Sequence, residues 1–339
     1  MSRPTLEDVA RLAKVSTATV SRCLNDPARV VEATRNRVER AVEELGYTPN
    51  FGGRALASNQ TNTIGAVIPT MDNAIFARGL QAFQETLAEA GVTLLVASSL
   101  YDPQSESEQL RTLVSRGADG LLLIGVARPE KTYDFLRNRN IPYVIAWNHH
   151  SDGSCCFAGF DNEDAASQMT EQVIKHGHRN IAMIAGITQF NDRALDRVTG
   201  VRKAMNRNGL SGKGMPVVEA PYTLEDGGKA FEELMQNSPK PTAVICGNDV
   251  LAVGAIVRAK QLGFQVPQDV SITGFDDIDL AEVAEPPLTT VHVPHRRMGQ
   301  AAAELLLDLR AGKTDCQSIE IQTHIIMRDS LGPVEQSDA

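Results

Sequence analysis

The run Thr5-Leu6-Glu7-Asp8-Val9-Ala10-Arg11-Leu12-Ala13-Lys14-Val15-Ser16-Thr17-Ala18-Thr19-Val20-Ser21-Arg22-Cys23-Leu24-Asn25 decides how the rest of the chain is read. Thr5 followed by Asp8 has the pattern of a capping box, and Val9, Leu12 and Ala13 give the helix behind it an apolar face. Val15 and Ser16 break that pattern. Ser16 is placed to cap a second helix whose inner side is Val20 and Leu24, and whose outer side is Thr17, Ala18, Ser21 and Arg22. Small and hydrogen-bonding residues on an exposed second helix suit insertion into the major groove of DNA. Ser16, Thr19 and Asn25 suit phosphates, and Arg22 suits the acceptor edge of guanine. A third helix with Val38, Ala41, Val42 and Leu45 ends at Gly46. A plain three-helix domain with no DNA role satisfies the same pattern, so this reading alone leaves both open.

Outward from this head, charge supports a split. Residues 1–60 carry nine Lys/Arg against seven Asp/Glu, while the remainder carries 24 against 35 within a net charge of −9 over 339 residues. A small basic head on an acidic body is expected. Residues 47–63 are polar and glycine-bearing, a linker with a short helix possible from Phe51 to Ser58. From Thr63 the rhythm becomes strand–helix alternation, with apolar runs at 64–68, 93–97, 120–124, 143–147, 181–185, 243–246, 270–274 and 289–293. Phe76, Leu80, Phe83 and Leu87 recur on one helical face between the first two. A βαβ series of this length predicts two doubly wound lobes with a ligand cleft at the carboxyl ends of the strands. The crossovers between lobes are expected at Phe160-Asp161 and Pro287–Thr290.

The head and the chain through Tyr47-Thr48-Pro49-Asn50 and beyond resemble the LacI/GalR family of bacterial transcriptional regulators. The resemblance implies an α/β fold class: a small all-α helix-turn-helix head followed by a two-lobed periplasmic-binding-protein-like body of doubly wound parallel sheets. Its domains would be a head over 1–49, a hinge helix and linker over 50–62, and an effector-binding and dimerisation body over 63–330. Within that body the N-lobe takes about 63–160 plus 292–322 and the C-lobe about 161–291 plus 323–330, leaving a polar tail at 331–339. Thr5, Leu6, Ser16, Thr17, Ala18, Thr19, Ser21, Arg22, Asn25, Tyr47, Asn50, Arg54 and Leu56 are the expected DNA contacts. Leu56 is the implied apolar wedge in the minor groove. Gly52 and Gly53 are poor helix formers, so the hinge is expected to order only on DNA. Lys14 replaces a usual glycine in the turn, and Val31 a usual capping serine. Asn73, Phe76, Asp161, Arg193, Arg197, Tyr222, Asn248 and Asp276 are the expected effector contacts, matched to a polyol by carboxylates, amides and an aromatic face. Arg193 and Arg197 lie four apart on one helix face and suit an anionic group, although Arg193–Asp196 or Arg197–Asp192 pairs fit the spacing as well. The implied partners are a palindromic double-stranded operator, a small-molecule effector and a second copy of the chain.

Other chemistries find little support. Ala311-Gly312-Lys313-Thr314 lacks the first glycine and the strand of a phosphate-binding loop, and no GxGxxG, HExxH or GxSxG run occurs. The histidine pairs His149-His150 and His176/His178 lack companions at metal spacing. The cysteines Cys23, Cys155, Cys156, Cys246 and Cys316 fit no metal pattern and are expected as reduced thiols. No catalytic residue, metal or cofactor is therefore expected. No run approaches a membrane span and the first residues lack a signal-peptide core, so an intracellular, cytoplasmic and nucleoid-associated protein is expected. The leading reading is a repressor controlled by a sugar or sugar acid. A sugar-binding transport protein and a cytosolic carbohydrate enzyme are the rivals.

Overall fold

The computed structural model describes residues 4–48, 61–150, 155–313 and 317–334. The chain forms two compact units, Met1–Thr61 and Asn62–Ala339. In the first, α1 (Leu6–Ala13), α2 (Thr17–Asn25) and α3 (Glu32–Leu45) follow one another, with a single 3-10 turn at Pro27–Arg29. The Thr5 side chain accepts the Asp8 N–H, and the Thr5 N–H donates to Asp8 at 2.9 Å, closing the capping box. Lys14 ends α1 in the left-handed region at φ 53°, where a side chain costs roughly 1–2 kcal/mol that glycine avoids. Ser16 Oγ accepts the Thr19 N–H at 3.2 Å to start α2. Val31 makes no side-chain cap for α3. Val9, Ala13, Val20, Cys23, Val38 and Ala41 are buried between the three helices.

The body holds two six-stranded sheets. The first is built from β1 (Thr63–Ile68), β2 (Thr93–Ser98), β3 (Gly120–Ile124), β4 (Tyr143–Ala146), β5 (Phe157–Gly159) and β11 (Ile319–Glu320), ordered β11-β5-β4-β3-β1-β2. The second takes β6 (Ile181–Gly186), β7 (Val217–Ala220), β8 (Ala243–Cys246), β9 (Ser271–Asp276), β10 (Thr289–His292) and β12 (His324–Ile326), ordered β12-β10-β9-β8-β6-β7. All neighbours are parallel except β12, which runs antiparallel to β10. The central strands β1, β3 and β6 are buried along their whole length, as strands covered on both faces must be, hence their continuous apolar runs. With the first sheet go α4 (Ala74–Glu89), α5 (Pro103–Ser115), α6 (Glu130–Asn138) and α12 (His295–Arg310). With the second go α7 (Asn162–Lys175), α8 (Asp192–Arg207), α9 (Leu224–Leu234), α10 (Asp249–Gln261) and the short α11 (Asp279–Val283).

The chain leaves the first lobe at Phe160-Asp161, between β5 and α7. It does not return at Pro287–Thr290, because Thr289–His292 pair with Thr273–Asp276 as β10 of the second sheet. The return falls after Val293, and a third passage joins β11 to β12. The thiol expectation needs one correction as well. Cys23, Cys155 and Cys246 are free, but Cys156 is disulfide-bonded; spacing along the chain could not show which distant segment meets the start of β5. Cys316 lies outside the described residues.

Two helices meet backbone to backbone where α4 crosses α12. A Cβ on Gly299 would lie 2.0 Å from the Gly79 carbonyl oxygen, and one on Gly79 would strike the Trp147 indole at 2.5 Å. Gly299→Ala is therefore expected to destabilise the body by about 1–3 kcal/mol through forced separation of the helices. A urea midpoint equal to that of the parent chain would show that the pair separates at no cost.

Candidate functional site

Two sites emerge, one in each unit. In the head, α2 turns Val20 and Cys23 inward and leaves Thr17, Ala18 and Arg22 exposed, with Thr19 and Ser21 half-buried. No acidic residue lies in its first turn to offset the partial positive charge of the helix N-terminus, and Arg22 adds a positive charge in its last turn. Ser16 is committed to its cap, its Oγ also 2.9 Å from the Thr19 hydroxyl. Thr5 is exposed but tied to Asp8, its hydroxyl donating at 2.7 Å. Leu6 and Tyr47 pack half-buried against the head core. Asn25 closes α2. Asn50, Arg54 and Leu56, with the hinge they would form, lie outside the described residues.

In the body, strand ends converge on a cleft between the lobes. Asn73, Phe76, Arg193, Arg197, Tyr222, Asn248 and Asp276 all line one small cavity there. Asn73 and Asn248 also cap α4 and α10, accepting the Ile75 and Leu251 N–H groups at 3.2 and 2.9 Å. Asp161 is the exception. It is exposed and caps α7 by accepting the Asp164 N–H at 2.9 Å. The adjacent Asn162 turns inward instead, and its Oδ1 accepts Arg197 Nε at 2.9 Å.

Arg197 is held on every side. Its Nη1 donates to the Gly247 carbonyl, its Nη2 lies 3.7 Å from Asp276 Oδ1, and its guanidinium sits 3.7 Å from the Phe275 ring centre. Arg193 pairs with Asp192 at 3.1 Å, so neither alternative pairing allowed by the spacing is the one formed. Asp276 is buried at the end of β9, and burial pushes its carboxyl up to about 7 against the pull of Arg197. Asp249 behind it is pushed far up by burial and then by Asp276, while Thr290 and the Ile278 N–H, at 2.8 Å, hold its oxygens. His295 is pushed down to about 3 by burial, with Arg197 adding to the effect, so its ring is neutral. It stacks on Trp147 at 6.3 Å, and Phe76 packs on the same indole at 5.3 Å. Asp276 Oδ1, Trp147 Nε1 and both His295 nitrogens are buried and find no hydrogen-bond partner among the described residues.

A second cluster closes the cleft. Asp192 on α8 accepts the Val126 N–H at 2.7 Å and Asn148 Nδ2 at 2.6 Å, both from the first lobe. Burial opposes ionisation of Asp192, but Arg193 and these two donors outweigh it and hold the carboxyl below its ordinary value. Gly125, at φ 66°, admits this approach, since a Cβ there would lie 2.0 Å from Arg193 Nη1 and 2.3 Å from Asp192 Oδ1. Sequence reasoning missed Asn162, Trp147, Tyr101, Asn191 and His295 at this site. Only Asn162 carried a signal, by adjoining the expected crossover.

A three-helix head with an outward-facing second helix, in one chain with a two-lobed α/β body that lines a polar cleft, is the architecture of a DNA-binding transcriptional regulator, and the comparisons with known proteins agree. Residues 5–50 match the family model described as bacterial regulatory proteins, lacI family, and residues 170–331 match a periplasmic binding protein-like domain. The chain belongs to the lacI family of bacterial regulatory proteins. It is 36% identical over 310 residues to the HTH-type transcriptional repressor CytR of Escherichia coli (strain K12), covering 91% of this chain and 90% of that protein. It is 33% identical over 330 residues to the repressor PurR of Klebsiella pneumoniae (strain 342), covering 96% of each. Among solved structures it is similar to the lac repressor dimer bound to operator and the anti-inducer ONPF, with TM-score 0.85 and 25% identity over 98% of this chain and 100% of that one. It is also similar to the regulator CelR in complex with cellobiose, with TM-score 0.71 and 32% identity over 97% of this chain and 100% of that one.

Two outcomes test this geometry. Asp276 is protonated in both states below pH 3.8, but between 3.8 and about 7 only the unfolded chain ionises, so its contribution to stability is full at low pH and lost as pH rises through that window. The loss is on the order of 4 kcal/mol. Asp276→Asn is expected to lack that decline when denaturant stability is compared with the parent from pH 4 to 8; parallel profiles would return Asp276 to an ordinary carboxylate. Asp192→Ala removes both first-lobe hydrogen bonds to its carboxylate, each worth about 1.5–3 kcal/mol for a charged acceptor. Small-angle scattering of the ligand-free variant is expected to give a larger radius of gyration, and an unchanged radius would remove Asp192 from lobe closure.

Proposed function

We propose that the chain is a transcriptional repressor whose hold on a palindromic operator is set by a small metabolite, a sugar or sugar acid, bound between the lobes. The observation that carries the metabolite is the pair of buried polar atoms on the cavity wall that lack a hydrogen-bond partner among the described residues, Asp276 Oδ1 and Trp147 Nε1. Each unsatisfied group costs about 1–3 kcal/mol, and a hydroxyl-bearing ligand supplies the missing partners to those that reach it. The carboxyl of Asp276, poised near neutrality, accepts from or donates to such hydroxyls, while Phe76 and Tyr222 cover the C–H face of the ring. Asn73, Asn248, Arg193 and Arg197 complete the contacts. An acidic ligand competes with Asp192 for Arg193.

On the DNA side, Thr17, Ala18, Ser21 and Arg22 read base edges, and Ser16, Thr19, Asn25 and Thr5 position the head on phosphates. Asn50, Arg54 and Leu56 are assigned to a hinge over 50–62 that enters the minor groove. One head reads one half-site, so a homodimer matches a palindrome. The lac repressor structure similar to this chain is such a dimer bound to operator, and the CelR structure is a complex with cellobiose. The lobes divide as about 63–160 plus 294–322 and about 161–293 plus 323–330. No described helix is long and apolar enough to cross a membrane, and action on DNA places the protein in the cytoplasm with the nucleoid.

The test starts from a duplex selected out of a random pool by the purified chain. Arg22→Ala, an exposed change, is expected to lose about 1–3 kcal/mol of affinity for that duplex with an unaltered thermal midpoint. Fluorescence anisotropy giving equal affinity for parent and variant would take Arg22 out of base reading.

A further inference from the structure

Three passages of the chain join the lobes, and two of them run through neighbouring strands of the second sheet. β10 ends at His292, just before the return that follows Val293, and β12 begins at His324, just after the passage from β11. The two strands pair antiparallel over three positions, and the pair at the lobe boundary sets His292 opposite His324. Their ring centres lie 4.7 Å apart, with the planes tilted by 41°. On its other side His292 is in register with Asp276 of β9, the cleft carboxyl. One histidine pair thus stands at the root of two lobe connections and beside the cavity.

The two rings have unlike surroundings. His292 Nδ1 lies 2.8 Å from Asp277 Oδ2, and Arg328 Nη2 donates to the other oxygen of that carboxylate at 2.7 Å. Burial opposes ionisation of Asp277, but His292 and Arg328 outweigh it and hold the carboxyl below its ordinary value. A proton on His292 is therefore met by a carboxylate already in contact. His324 is exposed and has no hydrogen-bond or ion-pair partner among the described residues. The other charges here are committed or lie on the cleft side. Arg328 also reaches Glu282 of α11 at 3.5 Å, Asp276 faces Arg197, and the His295 ring of α12 is neutral. Two neutral imidazoles stack at this spacing, whereas two imidazolium rings are like charges directly opposite on paired strands, which weakens the pair.

We infer that His292 and His324 form a proton-operated element of the connection between the lobes: neutral, they hold β10 and β12 together at the boundary, and doubly protonated, they part the strands there and let the lobes open more readily. Imidazole is the side chain whose charge ordinarily changes between about pH 5 and 8, so mild acidification is the signal. β12 is three residues long and sits at the sheet edge with β10 as its one neighbour. Losing one of three cross-strand pairs therefore removes a large part of what holds it. Residues at the ends of elements are those that absorb the backbone change when domains open and close.

Hydrogen exchange on the ligand-free, full-length chain reads the strands directly. After correction for the intrinsic effect of pH, protection of residues 289–293 and 324–326 is expected to fall about twofold or more between pH 7.5 and 5.5 in the parent. His324→Gln, an exposed change, is expected to abolish the fall, and His324→Lys, which keeps a cation opposite His292, to restore it. Asp276 titrates in the same range, so Asp276→Asn is the control and is expected to keep the fall. Small-angle scattering over the same range is expected to show the radius of gyration rising in the parent and not in His324→Gln. No fall in the parent, a fall that survives in His324→Gln, or one that Asp276→Asn abolishes overturns the histidine pair as the sensor. A fall in protection with an unchanged radius overturns its link to the lobes.

Discussion

A full positive charge sits almost without water in the middle of the body, at Arg197, which is 5% exposed. A buried guanidinium is tolerable only when its donors and its charge are matched, and here each match fixes another part of the molecule. Asn162 supplies one acceptor and in turn donates Nδ2 to the Trp147 carbonyl at 2.9 Å. That links α7, at the exit from the first lobe, to the end of β4. The Gly247 carbonyl and Asp276 bring in the ends of β8 and β9, and Phe275 provides the face beneath. One charge thus registers both sheets against the crossover. The same arrangement keeps Asp276 near neutrality, because a single cation 3.7 Å away offsets only part of the cost of burying a carboxylate.

The second lobe also meets the first through an exchangeable set of polar contacts around Asp192. These are hydrogen bonds to the Asp192 carboxylate from one backbone N–H and one amide, with Asn148 also donating to Asp196 at 3.2 Å. Contacts of that kind can be exchanged for water as the lobes part, which a packed core does not permit. The contrast between the fixed network at Arg197 and the exchangeable one at Asp192 is what a hinge requires.

Much of this was legible in the sequence, for local reasons. The capping pattern at Thr5 and Asp8 and the spacing of Val9, Val20 and Leu24 mark the head because helix starts and faces are written within a few residues. Each of the eight apolar runs falls on a strand, and for the inner strands this is because buried parallel strands need apolar residues on both faces, whereas β2 at the sheet edge is only half-buried to exposed. What escaped was set by distant partners. β5, β7, β11 and β12 are two to four residues long and exist through their neighbours' hydrogen bonds. Asp161 and Asn162 are equivalent in sequence, and only the turn of the chain decides that one faces solvent and the other Arg197. Trp147 read as the end of a strand, yet it lies just past β4 at φ 60°, which carries its indole into the cleft.

The interleaved course of the chain also fixes when each part comes into being. The head is closed by residue 47, whereas the first sheet waits for Ile319–Glu320 and α12. The second waits longer still. Ser330 Oγ donates to the Ile272 carbonyl at 2.6 Å, and the Gly332 carbonyl meets His178 Nε2 at 3.0 Å. At the roughly 5–20 residues per second of protein synthesis, a finished head emerges on the order of tens of seconds ahead of either lobe. For that interval the nascent chain carries a folded reading head and no cleft to govern it, so control by a ligand is acquired only as the last strand is threaded home.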